Sequence, residues 1–418
     1  MHAASCENPS SLRSYKRPDL EVADIFKKYG AEYRKQYKLN KKQLQVMHSI
    51  EHCRDGEFGH HMDVCDHCGY PERFNNSCRD RHCPKCTGIS RRKWVKARLE
   101  DLLPIAYYHV VFTLPHVLYP LSLFNAVLIY ELLFECAAET LKVFADDPQW
   151  LGARIGYYGV LHTWGGKLWQ HLHVHFIVTG GGLKPNGQWV ELKYQSKFLF
   201  PVKALSKRFR GIFIKALKRA HRQGELKFPG QLKELENYDA FDKWIYHSFP
   251  KKWVVFAKSP FAGPEKVVKY LGLYTNRAAI SNYRLIGIKE DRVHFYYKIY
   301  EKKTDSVRWE KASLPALEFI GRFLMHILPC GFHRIRHYGF LSNGHSKKYV
   351  ALIRELIADN ADQTDEPQES LEITNHPVCP KCKKGKLVPA LSVHRFGIVI
   401  LNIGAYFQYI RKEIPDTS

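Results

Sequence analysis

Six cysteines (Cys53, Cys65, Cys68, Cys78, Cys83 and Cys86) fall within 34 residues, interleaved with histidines in HCRDGEFGHHMDVCDHCGYPERFNNSCRDRHCPKC, 52–86. Thiols packed this densely either oxidise or close around metal, and in a reducing compartment the second outcome prevails. Cys65/Cys68 and Cys83/Cys86 are C-x2-C pairs at the separation of a four-thiolate zinc ribbon, with Gly69 after the first and Pro84 inside the second. One Zn²⁺ is therefore expected on Cys65, Cys68, Cys83 and Cys86, contributing folding energy directly. Cys53, His60, Cys78 and His82 remain as a possible second tetrahedron, with His61 an alternate for His60. Cys136 and Cys330 stand alone and read as small buried hydrophobes.

Charge narrows the partner. Lys and Arg number 64 against 41 Asp and Glu, a net +23, in a chain of 418 residues. Such an excess points to a polyanion, most often nucleic acid, and away from an ordinary metabolic enzyme. With 45% hydrophobic and 13% aromatic residues the chain can build a core, so global disorder is excluded. No apolar run reaches the length of a membrane helix, and the basic, polar N-terminus reads as no secretory signal, so a cytoplasmic protein is expected.

Periodicity divides the chain. Residues 1–19 read as a loose tail, and 20–50 as two helices interrupted near Gly30 and Asn40. With the cysteine segment and the basic stretch 79–98 they form an expected N-terminal metal- and DNA-binding domain, 20–100. Strands are expected at 107–114, 155–164 and 171–180, with a helix at 121–145. Residues 203–222 hold eight Lys/Arg and no acid. Leu205, Phe209, Ile212 and Ala216 mark this segment as an amphipathic helix inside a basic insertion at about 200–250. A helix is expected at 264–280, after Pro264. Strands at 282–288 and 293–300 split at KEDR, and a helix covers 314–328. The expected divisions are 101–288, then 289–345, then an acidic linker and tail, 346–418, with a Cys379/Cys382 pair. Strands and helices alternate irregularly, so the fold class is α+β.

Two further patterns carry chemistry. In His171-Leu172-His173-Val174-His175 a strand places all three imidazoles on one face. Neighbours two apart lie about 6.6 Å from each other, so one ion takes 171/173 or 173/175, and imidazole softness favours a transition metal. Tyr270 and Tyr274, four apart, share one face of the 264–280 helix. A phenol becomes a competent nucleophile when positioned and deprotonated beside a polarised phosphate.

A His-hydrophobic-His strand followed by a Tyr-x3-Tyr helix resembles the HUH single-strand nucleases. The wording around it resembles the two-tyrosine transposases of the insertion sequence 91 family, relatives of the Helitron transposases. The matching phrases are GHHMDVCDHCG, NNSCRDRHCPKC, VVFTLPH, LHTWGGKLWQHLHVHFIVTGGGL, GPEKVVKYLGLYTNRAAISNYRL and LPCGFHRIRHYGFL, in family order over most of 20–345.

The resemblance implies an HUH endonuclease domain with a central antiparallel sheet, preceded by a helical, zinc-ribbon-like domain. His173 and His175 would be the HUH pair and Tyr270 and Tyr274 the nucleophiles. Leu172 stands where many relatives have Pro, which leaves 171/173 open. Gln170, His171 and His162 are candidates for a third ligand of Mg²⁺ or Mn²⁺. The implied activity is transposition: cleavage and rejoining of single-stranded DNA at element ends and target through 5′-phosphotyrosine, by a rolling-circle-like route, at the bacterial nucleoid. Arg79, Arg81, Arg91, Arg92, Lys93, Lys207, Arg208, Lys215 and Arg219 would track phosphates. A plasmid replication initiator or relaxase would share the chemistry, and a non-enzymatic zinc-bearing regulator would share only the binding.

Overall fold

The computed structural model describes residues 19–99, 102–192, 199–258, 272, 277–301, 306–358, 376–394 and 397–413. Within them the elements run α1 (Val22–Gln36), α2 (Lys41–Glu51), β1 (His60–Cys65), β2 (Pro71–Asn75), α3 (Thr87–Leu99), β3 (Tyr107–Thr113), α4 (Tyr119–Phe124), α5 (Ala126–Asp146), β4 (Arg154–Trp164), β5 (Gln170–Leu183) and β6 (Trp189–Glu191). They continue α6 (Val202–Arg222), α7 (Tyr238–Ser248), β7 (Val255–Lys258), β8 (Leu285–Lys289), β9 (Arg292–Glu301), β10 (Ser306–Pro315), α8 (Ala316–Met325), β11 (Ile335–Gly339), α9 (Ser346–Ala358), β12 (Leu387–His394), β13 (Gly397–Ile400) and α10 (Ile403–Glu413). All strand pairs among them are antiparallel, which makes the fold α+β, as expected.

The chain divides into two compact units. One combines 17–87 with 364–418, and the other takes in 88–363. The C-terminal stretch, set apart in the sequence by its acidic lead-in, thus shares a unit with the cysteine-rich segment.

In the first unit Val22, Ile25, Phe26, Tyr29 and Tyr33 line one side of α1 and are buried. Asn40 then starts α2 with a capping box. Its side chain accepts from the Gln43 backbone N–H at 2.9 Å, and the Gln43 side chain accepts from the Asn40 N–H at 3.1 Å. The hairpin β1–β2 follows, and the sheet is completed from the far end of the chain in the order β13-β12-β1-β2. Val64 faces Val388 and Cys65 faces Leu387 across β1 and β12.

In the second unit the main sheet runs β11-β4-β5-β3-β7, with β6 on the end of β5. Alternation along β5 separates two environments. Leu172, Val174, Phe176 and Val178 point into a large core with Phe112, Phe134, Phe209 and Phe213, packed beneath α5 and α6. Cutting Phe176 back to Ala in so aromatic a core would cost about 3–5 kcal/mol. Ile177 joins a smaller core on the opposite face, with Tyr107, Tyr158, Val350 and Ile353. His173 and His175 share that opposite face, beyond its apolar part.

Three helices differ from expectation. The interruption foreseen near Gly30 is absent, since α1 runs unbroken through that buried residue to Gln36. The helix foreseen at 121–145 breaks at Asn125, whose amide donates to the carbonyls of Leu121 and Lys227 and accepts from the Lys227 N–H. A side chain that satisfies backbone groups in this way competes with helix continuation. In α6 the buried positions are Leu205, Phe209, Phe213, Leu217 and Ala220, so Phe213 and Leu217 replace Ile212 and Ala216 on the inner stripe. The KEDR turn is present, with Glu290 and Asp291 both at positive φ. Cys136 is buried, whereas Cys330 is exposed and is not a core residue.

Candidate metal centres and nucleic-acid interface

The thiols converge in two quartets that differ from the expected sets. Cys53, Cys78, Cys83 and Cys86 form one, and Cys65, Cys68, Cys379 and Cys382 the other. The β1–β2 hairpin is the reason. A strand rises about 3.3 Å per residue, so β1 carries Cys65 roughly 16 Å away from its start. β2 then brings the chain back, and Asn76 donates to the carbonyl of Gly59 at 2.9 Å. Cys53 and Cys78 therefore lie at the open end of the hairpin with Cys83 and Cys86, while Cys65 and Cys68 stay at its turn.

His60 and His82 belong to neither quartet. His60 lies in β1 opposite Asn75 and Val393, and His82 binds the Asp80 carboxylate through Nδ1 at 2.9 Å. In the first quartet Cys86 Sγ lies 3.5 Å from both Cys53 Sγ and Cys78 Sγ. Hydrogen bonds from Cys78 and then Cys83 pull the Cys53 thiol down to about 7, while sharing protons with its neighbours pushes Cys83 well up. Thiols this close compete for charge, a competition that a cation in their midst relieves.

The third cluster lies on the main sheet. His162 on β4 is the register partner of His173 on β5, and His175 lies two residues along the same face. All three are buried, and ring nitrogens of the three lie within 4.8 Å of one another. Of the two possible strand pairs, 173/175 is the one that converges with a third imidazole. His173 donates from Nδ1 to the His171 carbonyl at 2.7 Å, which leaves Nε2 as its lone-pair nitrogen. His175 Nδ1 bonds His109 Nε2 on β3 at 2.9 Å, so its remaining nitrogen is also Nε2. Such partners set tautomer and ring orientation in metal-binding histidines. Burial holds His173 down at about 3 and His175 well below the usual imidazole range, so both rings are neutral and able to ligate.

The other third-ligand candidates lie elsewhere. Gln170 donates to the Ser122 hydroxyl at 2.9 Å, and the His171 side chain is exposed. Three imidazoles form a nitrogen donor set, which fits Mn²⁺ better than the strictly oxygen-seeking Mg²⁺.

Tyr270 and Tyr274, with most of the helix foreseen at 264–280, lie outside the described residues. The flanks of that segment are described. On one side β7 pairs with β3, with Lys258 opposite His109 and Phe256 opposite Val111. On the other, Arg334 donates one hydrogen bond to the Arg277 carbonyl at 2.8 Å and another to the Leu161 carbonyl at 3.1 Å, beside His162. Its guanidinium also stacks over Trp164, which stacks on His162. The sequence did not single out His109, Trp164 or Arg334. His109 was findable, since YYHVVFTL read as a strand places it on the face opposite Tyr108 and Val110.

Of the expected phosphate contacts, Lys207, Arg208, Lys215 and Arg219 are all exposed on α6, opposite its buried stripe. Arg79 and Arg92 are exposed and Arg81 is half-buried, while the side chains of Arg91 and Lys93 lie outside the described residues. No helix among the described residues is long and apolar enough to cross a membrane.

Residues 156–349 match the family model described as "Putative transposase", and 25–114 match the one described as "Transposase zinc-binding domain". The chain is 43% identical over 383 residues to "Putative transposase y4qJ" of Sinorhizobium fredii, covering 89% of this chain and 95% of that relative. It is 28% identical over 291 residues to "Transposase for insertion sequence element IS801" of Pseudomonas savastanoi pv. phaseolicola, covering 69% of this chain and 67% of that protein. No solved structure matches. The zinc-binding match takes in the quartet at 53–86 and the transposase match takes in the imidazole cluster, whereas Cys379 and Cys382 lie beyond both. The chain belongs to the transposases of the insertion sequence 91 family, and is accordingly a DNA-binding, DNA-cleaving enzyme.

Proposed function

We propose that the protein cleaves and rejoins single-stranded DNA at the ends of an insertion sequence and at its target, through 5′-phosphotyrosine intermediates formed by Tyr270 and Tyr274. One observation carries the reading. Both flanks of the segment bearing these tyrosines are pinned beside the imidazole cluster, by β7 next to His109 and by Arg334 next to His162.

His162, His173 and His175 would hold a divalent ion, Mn²⁺ or Mg²⁺, with His173 and His175 offering Nε2. When bound, that ion supplies Lewis-acid polarisation of the scissile phosphate. The chain's own groups do the rest. His109 and the His171 carbonyl hold the imidazole tautomers, and the buried strand face keeps the rings neutral. The attacking phenolate of one tyrosine forms the phosphotyrosine bond as the P–O3′ bond breaks, and the 3′ oxygen leaves with a proton. Reversal with a new 3′-OH rejoins the strand without ATP, because the phosphodiester energy is kept in the adduct. Two tyrosines allow donor and target strands to be held in turn. Exposed basic residues of α6, with Arg79 and Arg92, would track the phosphates of the strand. The quartet Cys53, Cys78, Cys83 and Cys86 would hold a structural Zn²⁺ in the module that recognises the element end.

The test is covalent capture. Full-length protein is incubated with single-stranded oligonucleotides spanning each element end, with Mn²⁺ or Mg²⁺, and resolved under denaturing conditions. An SDS-stable protein–DNA adduct that disappears in the Tyr270→Phe/Tyr274→Phe double variant is expected. An adduct that persists in the double variant overturns the nucleophile assignment, and absence of any adduct with either ion overturns the mechanism. Strand transfer to a second oligonucleotide separates a transposase from an enzyme that only nicks.

A further inference from the structure

The C-terminal pair Cys379/Cys382 takes no part in the chemistry above, yet it meets Cys65/Cys68 across more than 300 residues of chain. Cys65 Sγ lies 3.7 Å from Cys382 Sγ, and Cys68 Sγ lies 3.8 Å from Cys379 Sγ. A disulfide would bring two sulfurs to about 2.0 Å. Four thiolates at about 2.3 Å from a tetrahedral zinc stand about 3.8 Å apart along each edge. Both separations match the tetrahedron.

The two pairs are also folded alike, as knuckles. Gly69 donates to the Cys65 carbonyl and Lys383 to the Cys379 carbonyl, each at 2.9 Å. The residue after the second cysteine has positive φ in both, Gly69 at 63° and Lys383 at 56°. A backbone N–H points at a sulfur in both, Cys68 N to Cys65 Sγ and Gly385 N to Cys382 Sγ, each at 3.4 Å. Such bonds stabilise thiolate over thiol.

The knuckles are stitched together as well. Asp66 donates to the Lys386 carbonyl at 3.0 Å, and its carboxylate accepts from the Lys386 N–H at 2.8 Å. Gly385 leaves no room for a side chain, since a Cβ there would lie 2.5 Å from Cys65 Sγ. Cys65 and Cys379 are wholly buried, packed with Leu387, Tyr70 and Phe74.

We propose that Cys65, Cys68, Cys379 and Cys382 hold a second structural Zn²⁺, which clasps the C-terminal tail to the N-terminal cysteine module so that both ends of the chain build one domain. The clasp is independent of the Cys53, Cys78, Cys83 and Cys86 quartet, with which it shares no ligand.

The test counts metal in the full-length protein by mass spectrometry and reads the ligand-field bands after Co²⁺ exchange. Two zinc per chain are expected in the parent protein, one in Cys379→Ser/Cys382→Ser, and two in Cys382→His, whose imidazole keeps a fourth ligand but shifts the cobalt spectrum. One zinc per chain in the parent, or two retained in the serine variant, overturns the clasp. If the serine variant does not fold, Cys382→His decides alone: two metals with a shifted spectrum support the assignment, and an unshifted spectrum overturns it.

Discussion

His173 turns Nδ1 onto the carbonyl oxygen of His171, 2.7 Å away, while the His171 ring itself is exposed. The backbone of His171, and not its imidazole, thus serves His173. His173→Ala is expected to lower cleavage by about 100-fold or more with either ion, and His162→Ala to do the same. His171→Ala keeps the carbonyl and should stay within a few-fold of the parent. Oligonucleotide cleavage rates across a Mn²⁺ titration check all three, and a collapse in His171→Ala would return 171/173 as the metal pair.

Gln170 separates structure from chemistry. Its amide donates to the buried Ser122 hydroxyl, which itself donates to the Tyr119 carbonyl, so Gln170→Ala removes one hydrogen bond and should cost about 1 kcal/mol of stability. Its Mn²⁺ affinity should remain that of the parent. Denaturant unfolding and a metal titration on the same protein distinguish the two effects.

The tyrosines call for single-atom changes. Tyr→Phe removes a hydroxyl and keeps the ring. If Tyr270 and Tyr274 divide donor and target cleavage, each single variant still forms adduct but fails complete strand transfer, and the double variant forms none. Full transfer by both single variants would show redundancy in place of a division of labour.

The basic stripe of α6 is expected to act through counterions. Lys207, Lys215 and Arg219 are exposed. If each meets a phosphate, changing all three to Gln should flatten the log–log salt dependence of single-strand affinity by about 2, at about 0.7 per contact. The melting temperature should not move. An unchanged slope in an anisotropy titration over salt would take DNA off this face.

His326 supplies a pH dependence away from the imidazole cluster. It accepts from the Thr163 hydroxyl at Nδ1 and donates from Nε2 to the Leu168 carbonyl, and burial holds it at about 4. Its folded value lies below the unfolded value of about 6.5, so the unfolded chain binds the extra proton first. Stability is whole above about pH 6.5 and falls as the pH drops toward 4, by at most about 1.4 kcal/mol per pH unit from this group. Unfolding of the parent and of His326→Gln at pH 7.5 and 4.5 measures it, and the variant should lose less stability between the two.

What the sequence disclosed tracks the range of the forces involved. Runs of β-branched and aromatic residues made β3, β4 and β5 legible, because a sheet covered on both faces buries nearly every residue of its inner strands. The spacing of Val22, Ile25, Phe26 and Tyr29 did the same for α1. β10, SVRWEKASLP, stayed hidden because its partner β9 and not its own pattern makes it a strand. The imidazoles of 173 and 175 were readable, but their union with His162 depends on the β4–β5 register, which no local pattern states. The quartets failed in sequence for a related reason. Spacing paired cysteines that are close along the chain, whereas a six-residue strand separates them in space and a partner from residue 379 onward completes the far site.

β12 lies between β1 and β13 and closes an open edge of the hairpin that carries Cys65. Its residues are made long after those of β1. Cys382 follows Cys65 by 317 residues, which at about 5–20 residues per second leaves some 15–60 s during synthesis when β1 has no partner on that side. An unpaired edge is prone to the wrong neighbour. A chain that stops short of β12 would leave this edge of β1 open, and Cys65 and Cys68 without the two thiols they face.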